Sequence, residues 1–167
     1  MELKISGVVN DSIVDGPGLR YTIFTQGCPH KCVGCHNPQT HDFNGGYIDT
    51  IENLLKDIKS NPLLNGVTFS GGEPFCQAKA LSILADEIHK MNLNVVTYTG
   101  YTFEYLYNHD NSDYRDLLEK TDILIDGPFM IDLKSLDCKF RGSSNQRIIN
   151  VQSTLSTYKY SNNIVIL

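Results

Sequence analysis

The chain has no tryptophan and few basic residues, 14 lysines and arginines against 19 aspartates and glutamates in 167 residues. With a net charge of −5 and no run or stripe of Lys or Arg to neutralise phosphates, no direct nucleic-acid partner is expected. No stretch approaches the roughly 20 apolar residues of a membrane-spanning helix. The opening Met-Glu-Leu-Lys-Ile-Ser-Gly lacks the long apolar core of a signal peptide, so a cytoplasmic location without a membrane partner is expected. Internal repeats and low-complexity linkers are also missing. What remains, 41% hydrophobic and 20% charged, is an ordinary globular composition at a length that suits one domain with a real core.

Cysteine is the residue whose placement stands out. Of five cysteines, an odd number, Cys28, Cys32 and Cys35 crowd into the stretch from Gln26 to Thr40, among Gly27, Pro29, Gly34 and Pro38. Such crowding is unlike the spread framework of a secreted disulfide scaffold and suits a metal centre in a reducing compartment. Thiolates take soft metals, which leaves zinc or an iron–sulfur cluster. A structural zinc wants a fourth ligand, and His30, His36 and His41 are near enough in sequence to offer one. A cubane held by three thiolates instead keeps one iron free. Three thiols without metal are the plain third reading. Cys76, at the start of a helix, reads as a small buried residue, and Cys138 has no spacing partner.

Hydrophobic periodicity places this loop. A short strand is expected over 3–9, then a break at Gly16-Pro17-Gly18, then a strand over 19–25 that ends where the cysteines begin. Ile51, Leu54, Leu55 and Ile58 recur at helical spacing, with Asp49 or Thr50 as cap. An apolar strand over 67–70 runs into Gly71-Gly72-Glu73-Pro74 and a helix carrying Leu81, Leu84, Ile88 and Met91 on one face. A strand over 94–99, helical pieces over 102–108 and 114–120, a strand over 123–126 and a last strand over 148–151 follow. Residues 152–163 are polar and patternless and read as a mobile tail, with 164–167 free to dock. Strands alternating with helices imply an α/β fold with a parallel sheet and right-handed crossovers. Four or five βα units are too few for a closed eight-unit barrel, so an open, partial barrel is expected. The cysteine loop and the Gly-Gly turn both lie just past strand carboxyl ends, where parallel folds bind ligands.

Taken alone, Gly71-Gly72-Glu73-Pro74 is an ordinary βα turn with Glu73 favourable at a helix N-terminus. Together with Cys-x3-Cys-x2-Cys it resembles the radical S-adenosylmethionine (SAM) superfamily. Within that superfamily, Asp15-Gly-Pro-Gly-Leu-Arg20, the loop from Gly27 to Pro38, Asp126-Gly-Pro-Phe129 and Arg141-Gly-Ser-Ser-Asn-Gln-Arg147 resemble the activating enzymes of anaerobic (class III) ribonucleoside-triphosphate reductases. The resemblance covers residues 5–151, so a radical-SAM domain is assigned to 1–151 and a tail to 152–167.

That resemblance implies a partial, open (βα) barrel of the radical-SAM type, mostly parallel, with helices outside. It implies a [4Fe-4S] cluster on Cys28, Cys32 and Cys35, whose free iron chelates the amino and carboxylate groups of SAM. Gly71, Gly72 and Glu73 would line the methionine end, Glu73 accepting from the ammonium. Reductive cleavage would release a 5′-deoxyadenosyl radical that takes hydrogen from a backbone glycine of the reductase, the protein partner, with a low-potential donor such as a reduced flavoprotein. Many superfamily members carry an aromatic residue before the third cysteine. Gly34 stands there here, which passes adenine contact to the backbone of Gly34 and Cys35 or to the His36 ring. Asp126 is a candidate for ribose hydroxyls or a cation, against a turn-capping carboxylate. Asp15 and Arg20 are candidates for contact with the partner's glycine loop, and Arg141, Asn145 and Arg147 for the partner or the cofactor carboxylate. The alternatives are an activase for a formate-lyase-type enzyme and a zinc-binding interaction module.

Overall fold

A computed structural model describes residues 1–167. Its strands are β1 (Glu2–Ser12), β2 (Arg20–Thr25), β3 (Tyr47–Thr50), β4 (Gly66–Gly71), β5 (Asn94–Tyr98), β6 (Ile123–Asp126) and β7 (Arg147–Asn150). The helices are α1 (Ile51–Lys59), α2 (Ala78–Lys90), α3 (Phe103–Asn108), α4 (Ser112–Glu119) and α5 (Val151–Ser161). All seven strands form one open sheet in the order β3-β1-β2-β4-β5-β6-β7.

The centre of the sheet, β2, β4, β5 and β6, is parallel. Its flanks are antiparallel: β1 pairs with β2 and β3, and β7 pairs with β6. This departs from the expected run of parallel strands, for a geometric reason. A parallel neighbour needs a long crossover, usually an α-helix, and no α-helix separates β1 from β2 or β6 from β7. The strand β3 was not expected at all. It is four residues long, with Tyr47 and Ile48 exposed, so it carries no alternating pattern to read.

Strand alternation divides the sheet's two faces. Tyr21, Ile23, Val67, Phe69, Val95 and Leu124 join the main core with Leu54, Ile58, Leu81, Leu84, Leu117 and Leu118 from the helices. Thr50 caps α1 by accepting from the Asn53 amide at 3.1 Å. The other face carries only Val96, Ile123 and Ile125 as a small apolar cluster. The segment between β1 and β2 folds across that face: Asp15 accepts from Thr22 and, through its carbonyl, from Thr68 at 2.7 Å.

Residues expected to lack regular structure beyond 151 instead form α5, capped by Asn150. Its buried positions are Val151, Thr154 and Tyr158, a helical stripe in which a threonine sits where an apolar residue would have revealed it. Tyr158 packs against Phe103 and Tyr107 at ring separations of 5.0 and 4.6 Å. Beyond α5, the Leu167 amide donates to the Ile148 carbonyl at 2.9 Å and the Asn150 amide to the Val165 carbonyl at 2.9 Å. No helix of the protein is long and apolar enough to cross a membrane.

Candidate active site

The four parallel strands deliver their carboxyl ends to one cavity of about 620 Å³. Cys28, Cys32 and Cys35 line it past β2, Gly71 and Gly72 past β4, Thr99 and Gly100 past β5, and Gly127 and Phe129 past β6. The cysteine loop is closed at its base, where the Gly27 amide donates to the Thr40 carbonyl at 2.7 Å and the Cys28 amide to the His41 carbonyl at 3.1 Å. It is joined to the neighbouring turn by the Gly72 amide on the Thr25 carbonyl and the Glu73 amide on the Gly27 carbonyl, both at 2.8 Å. The ladder between β2 and β4 therefore runs on past the strands and seats the two motifs side by side.

The thiols sit in polar loop backbone. The Asn37 amide donates to the Cys35 sulfur at 3.4 Å. Burial pushes the Cys28 thiol up to about 11, and the His30 backbone N–H directed at its sulfur opposes that rise. A thiol so placed ionises when it meets a metal cation, whose charge reverses the balance. No three His, Cys, Asp or Glu side chains are gathered as ligands of a single ion. Cys76 is exposed and lines a separate pocket. Cys138, given no role by the sequence, lines the same cavity as the cysteine loop.

Several expected site residues lie elsewhere. Glu73 is fully buried and absent from the cavity wall. Its carboxylate accepts from the amides of Phe75 and Gly100, the Thr99 hydroxyl and His30 Nε2. Asp126, 1% exposed, accepts from the Phe103 amide at 2.8 Å and pairs with Arg147. It thereby satisfies the first amide of α3, whose own cap is Thr102. Arg147 is clamped between Asp126 and Glu104; these hydrogen bonds hold its pKa above the usual arginine range.

Arg20 is the clearest correction. It is fully buried, donating to Thr68 Oγ1 at 2.7 Å and to the carbonyls of Pro17 at 2.9 Å, Val67 at 3.0 Å and Asn94 at 3.3 Å. Burial lowers its pKa to about 10. The guanidinium ties the amino ends of β2, β4 and β5 together, at the opposite end from the cysteines, and cannot reach a partner. Replacing it by Met strands those buried carbonyls, and the Arg20→Met protein is expected to lose about 3 kcal/mol of stability in denaturant titration.

Other expectations keep their place. Asp15, Arg141 and His36 line the cavity. Asn145 does not; its side-chain amide donates to the Pro128 carbonyl at 2.8 Å. Gly34 lies against Ile131 and Phe129, and the Phe129 ring stands 5.1 Å from that of His36. The motif Asp126-Gly-Pro-Phe129 gives Phe129 no role of its own. Its signal was available, as an aromatic just past a strand end in a chain lacking the aromatic before the third cysteine.

The likenesses to known proteins agree with this layout. A family model described as a 4Fe-4S single cluster domain matches residues 14–149. The anaerobic ribonucleoside-triphosphate reductase-activating protein of Salmonella typhimurium is 34% identical over 142 residues, covering 80% of this chain and 90% of its own. The chain belongs to this activating-protein family. The Escherichia coli K12 activating protein is 32% identical over 143 residues, with the same coverage. The pyruvate formate-lyase-activating enzyme of Clostridium pasteurianum is 32% identical, but the matched region spans only 53% of that longer protein.

As a member of the activating-protein family, the chain is a radical-SAM enzyme whose cofactors are a [4Fe-4S] cluster and SAM. The residues present fit them. Three thiols border one cavity, a soft donor set of the kind that holds iron–sulfur clusters. The cavity lies within the 300–1,000 Å³ usual for small-molecule sites.

Proposed function

We propose that the protein activates an anaerobic ribonucleoside-triphosphate reductase by generating a glycyl radical on it, with Cys28, Cys32 and Cys35 holding the cluster. The observation that carries this reading is the shared cavity: three cysteines and the Gly71-Gly72 turn line it together at the carboxyl ends of parallel strands, in a chain of the activating-protein family. When bound, the cluster and SAM supply a one-electron cleavage that yields a hydrogen-abstracting radical.

The chain's own residues bind and orient. The backbone of Gly71 and Gly72 borders the methionine end. Glu73 acts beneath it by fixing Thr99, Gly100 and His30, all of which line the cavity. Phe129 supplies the aromatic surface that Gly34 lacks, beside Cys35 and His36, for the adenine. Arg141 provides a cation for the cofactor carboxylate, and Asp15 stands on the cavity wall where the partner's glycine must arrive. The open sheet serves as a partial (βα) barrel whose unclosed side admits a peptide protruding from a large partner. The setting is cytoplasmic, and the electron comes from a low-potential donor such as a reduced flavoprotein.

Likeness to the formate-lyase-activating enzyme keeps a second reading, in which the target is a formate-lyase-type enzyme. Electron paramagnetic resonance separates the two. The reduced, cluster-loaded protein with SAM should raise a glycyl-radical doublet on the reductase and none on a formate lyase. The reverse pattern transfers the assignment to the second target, and a doublet on neither ends both.

A further inference from the structure

Between Pro29 and His36, a segment that carries two of the three clustered cysteines, one side-chain hydrogen bond reaches a distant element of the fold: His30 Nε2 to the Glu73 carboxylate, 2.5 Å long. Everything else that holds this segment runs through its base at Gly27 and Cys28 or through apolar contacts such as His36 on Phe129. The anchor itself is rigid. Glu73 is fully buried and already fixed by the Phe75 amide at 3.0 Å, the Thr99 hydroxyl at 2.9 Å and the Gly100 amide at 2.8 Å.

The imidazole is equally constrained. It lies so close over Gly100 that a Cβ there would stand 2.4 Å from the ring carbon Cδ2. Tyr101 meets it edge-on with ring centroids 4.5 Å apart. With the ring locked in this way, the backbone N–H of the same residue is held toward the Cys28 sulfur.

We infer that His30 is a positioning residue for the cluster, its bond to Glu73 latching the cysteine loop onto the β4 and β5 turns and aiming the His30 amide at the Cys28 sulfur. This rests on the assignment of Cys28, Cys32 and Cys35 as cluster ligands. Two consequences are separable. Partners that orient metal ligands govern how firmly the metal is held, and their loss typically costs about 10- to 100-fold. Hydrogen bonds to cluster sulfurs also set the reduction potential, because they draw charge from the thiolate and favour the reduced state. The latch therefore makes the cluster both harder to strip and easier to reduce.

The test uses the full chain reconstituted without oxygen, as wild type, His30→Ala and His30→Gln. Glutamine places an N–H donor at a similar reach from the backbone and so preserves the latch. Iron release to a chelator and the midpoint potential from a redox titration are read on each. The Ala variant is expected to release iron about tenfold faster or more and to titrate at a more negative potential, and the Gln variant to restore both. If the Ala variant fails to take up a cluster at all, a Gln variant that loads fully with the wild-type potential supports the latch. Wild-type release or potential in the Ala protein overturns it, as does a Gln protein as impaired as the Ala one. Those failures leave the ligand assignment standing, because that assignment is judged on cysteine variants.

Discussion

Cys32→Ala protein, purified and reconstituted without oxygen, is expected to hold no intact [4Fe-4S] cluster and to form no detectable 5′-deoxyadenosine from SAM, while Cys76→Ala forms it at the wild-type rate. The contrast comes from position. Cys32 lies on the cavity wall with Cys28 and Cys35, and Cys76 is exposed on a different pocket. Each clustered thiolate answers to a different iron, so no neighbour substitutes for a missing one. Chromatographic assay of deoxyadenosine together with iron and sulfide content reads both parts of the result. A fully active Cys32→Ala protein would remove the cluster assignment and the proposed function with it.

Gly71→Ala should be nearly as damaging, although residue 71 carries no chemistry. Its φ of +91° is a conformation that L side chains rarely adopt. A Cβ there would also stand 2.6 Å from the Thr25 nitrogen and 2.7 Å from the Phe24 Cα and carbonyl carbon. These are backbone atoms of the adjacent strand and cannot swing aside. Strain of this kind together with overpacking costs about 3 kcal/mol or more. Relief comes only by parting β4 from β2 at the end where the ladder continues into the cysteine loop. The expected outcome is a lowered denaturation midpoint together with poor cluster retention. A Gly71→Ala protein that matches wild type in both would show that the turn tolerates a side chain.

What was legible in the sequence follows from which physical signals are local. The cysteine loop and the Gly-Gly turn each declare a backbone unsuited to regular structure, directly after a run of β-favouring residues, and both stand where that reading puts them. Charged residues declare much less. Arg20, Glu73, Asp126 and Arg147 were all candidates for ligand or partner contact, and their side chains are instead engaged with carbonyls, amides and one another. Sequence shows that a charge is present, but its direction depends on which strand register and which turn meet it. Arg20 shares β2 with Tyr21 and Ile23, so its fate turned on the alternation of faces and on the carbonyls that β4 and the start of β5 bring within reach. The helix α5 escaped notice for a related reason: Thr154 is buried because its hydroxyl donates to the Asn150 carbonyl at 2.7 Å. A polar residue satisfied inside its own helix leaves no hydrophobic mark.

The short return of the chain beyond α5 alters how the sheet meets other molecules. Val165 and Leu167 occupy hydrogen-bonding positions along β7, so the strand at that flank offers little unpaired backbone to a foreign strand. At the other flank, β3 is four residues long and pairs only with Glu2–Ile5 of β1, so the second half of β1 forms the outer edge there. An open sheet is ordinarily exposed to edge-to-edge aggregation at both sides. Here the last residues of the chain cover one of the two. The protein therefore leaves its sheet unclosed around the cavity with a single uncovered flank.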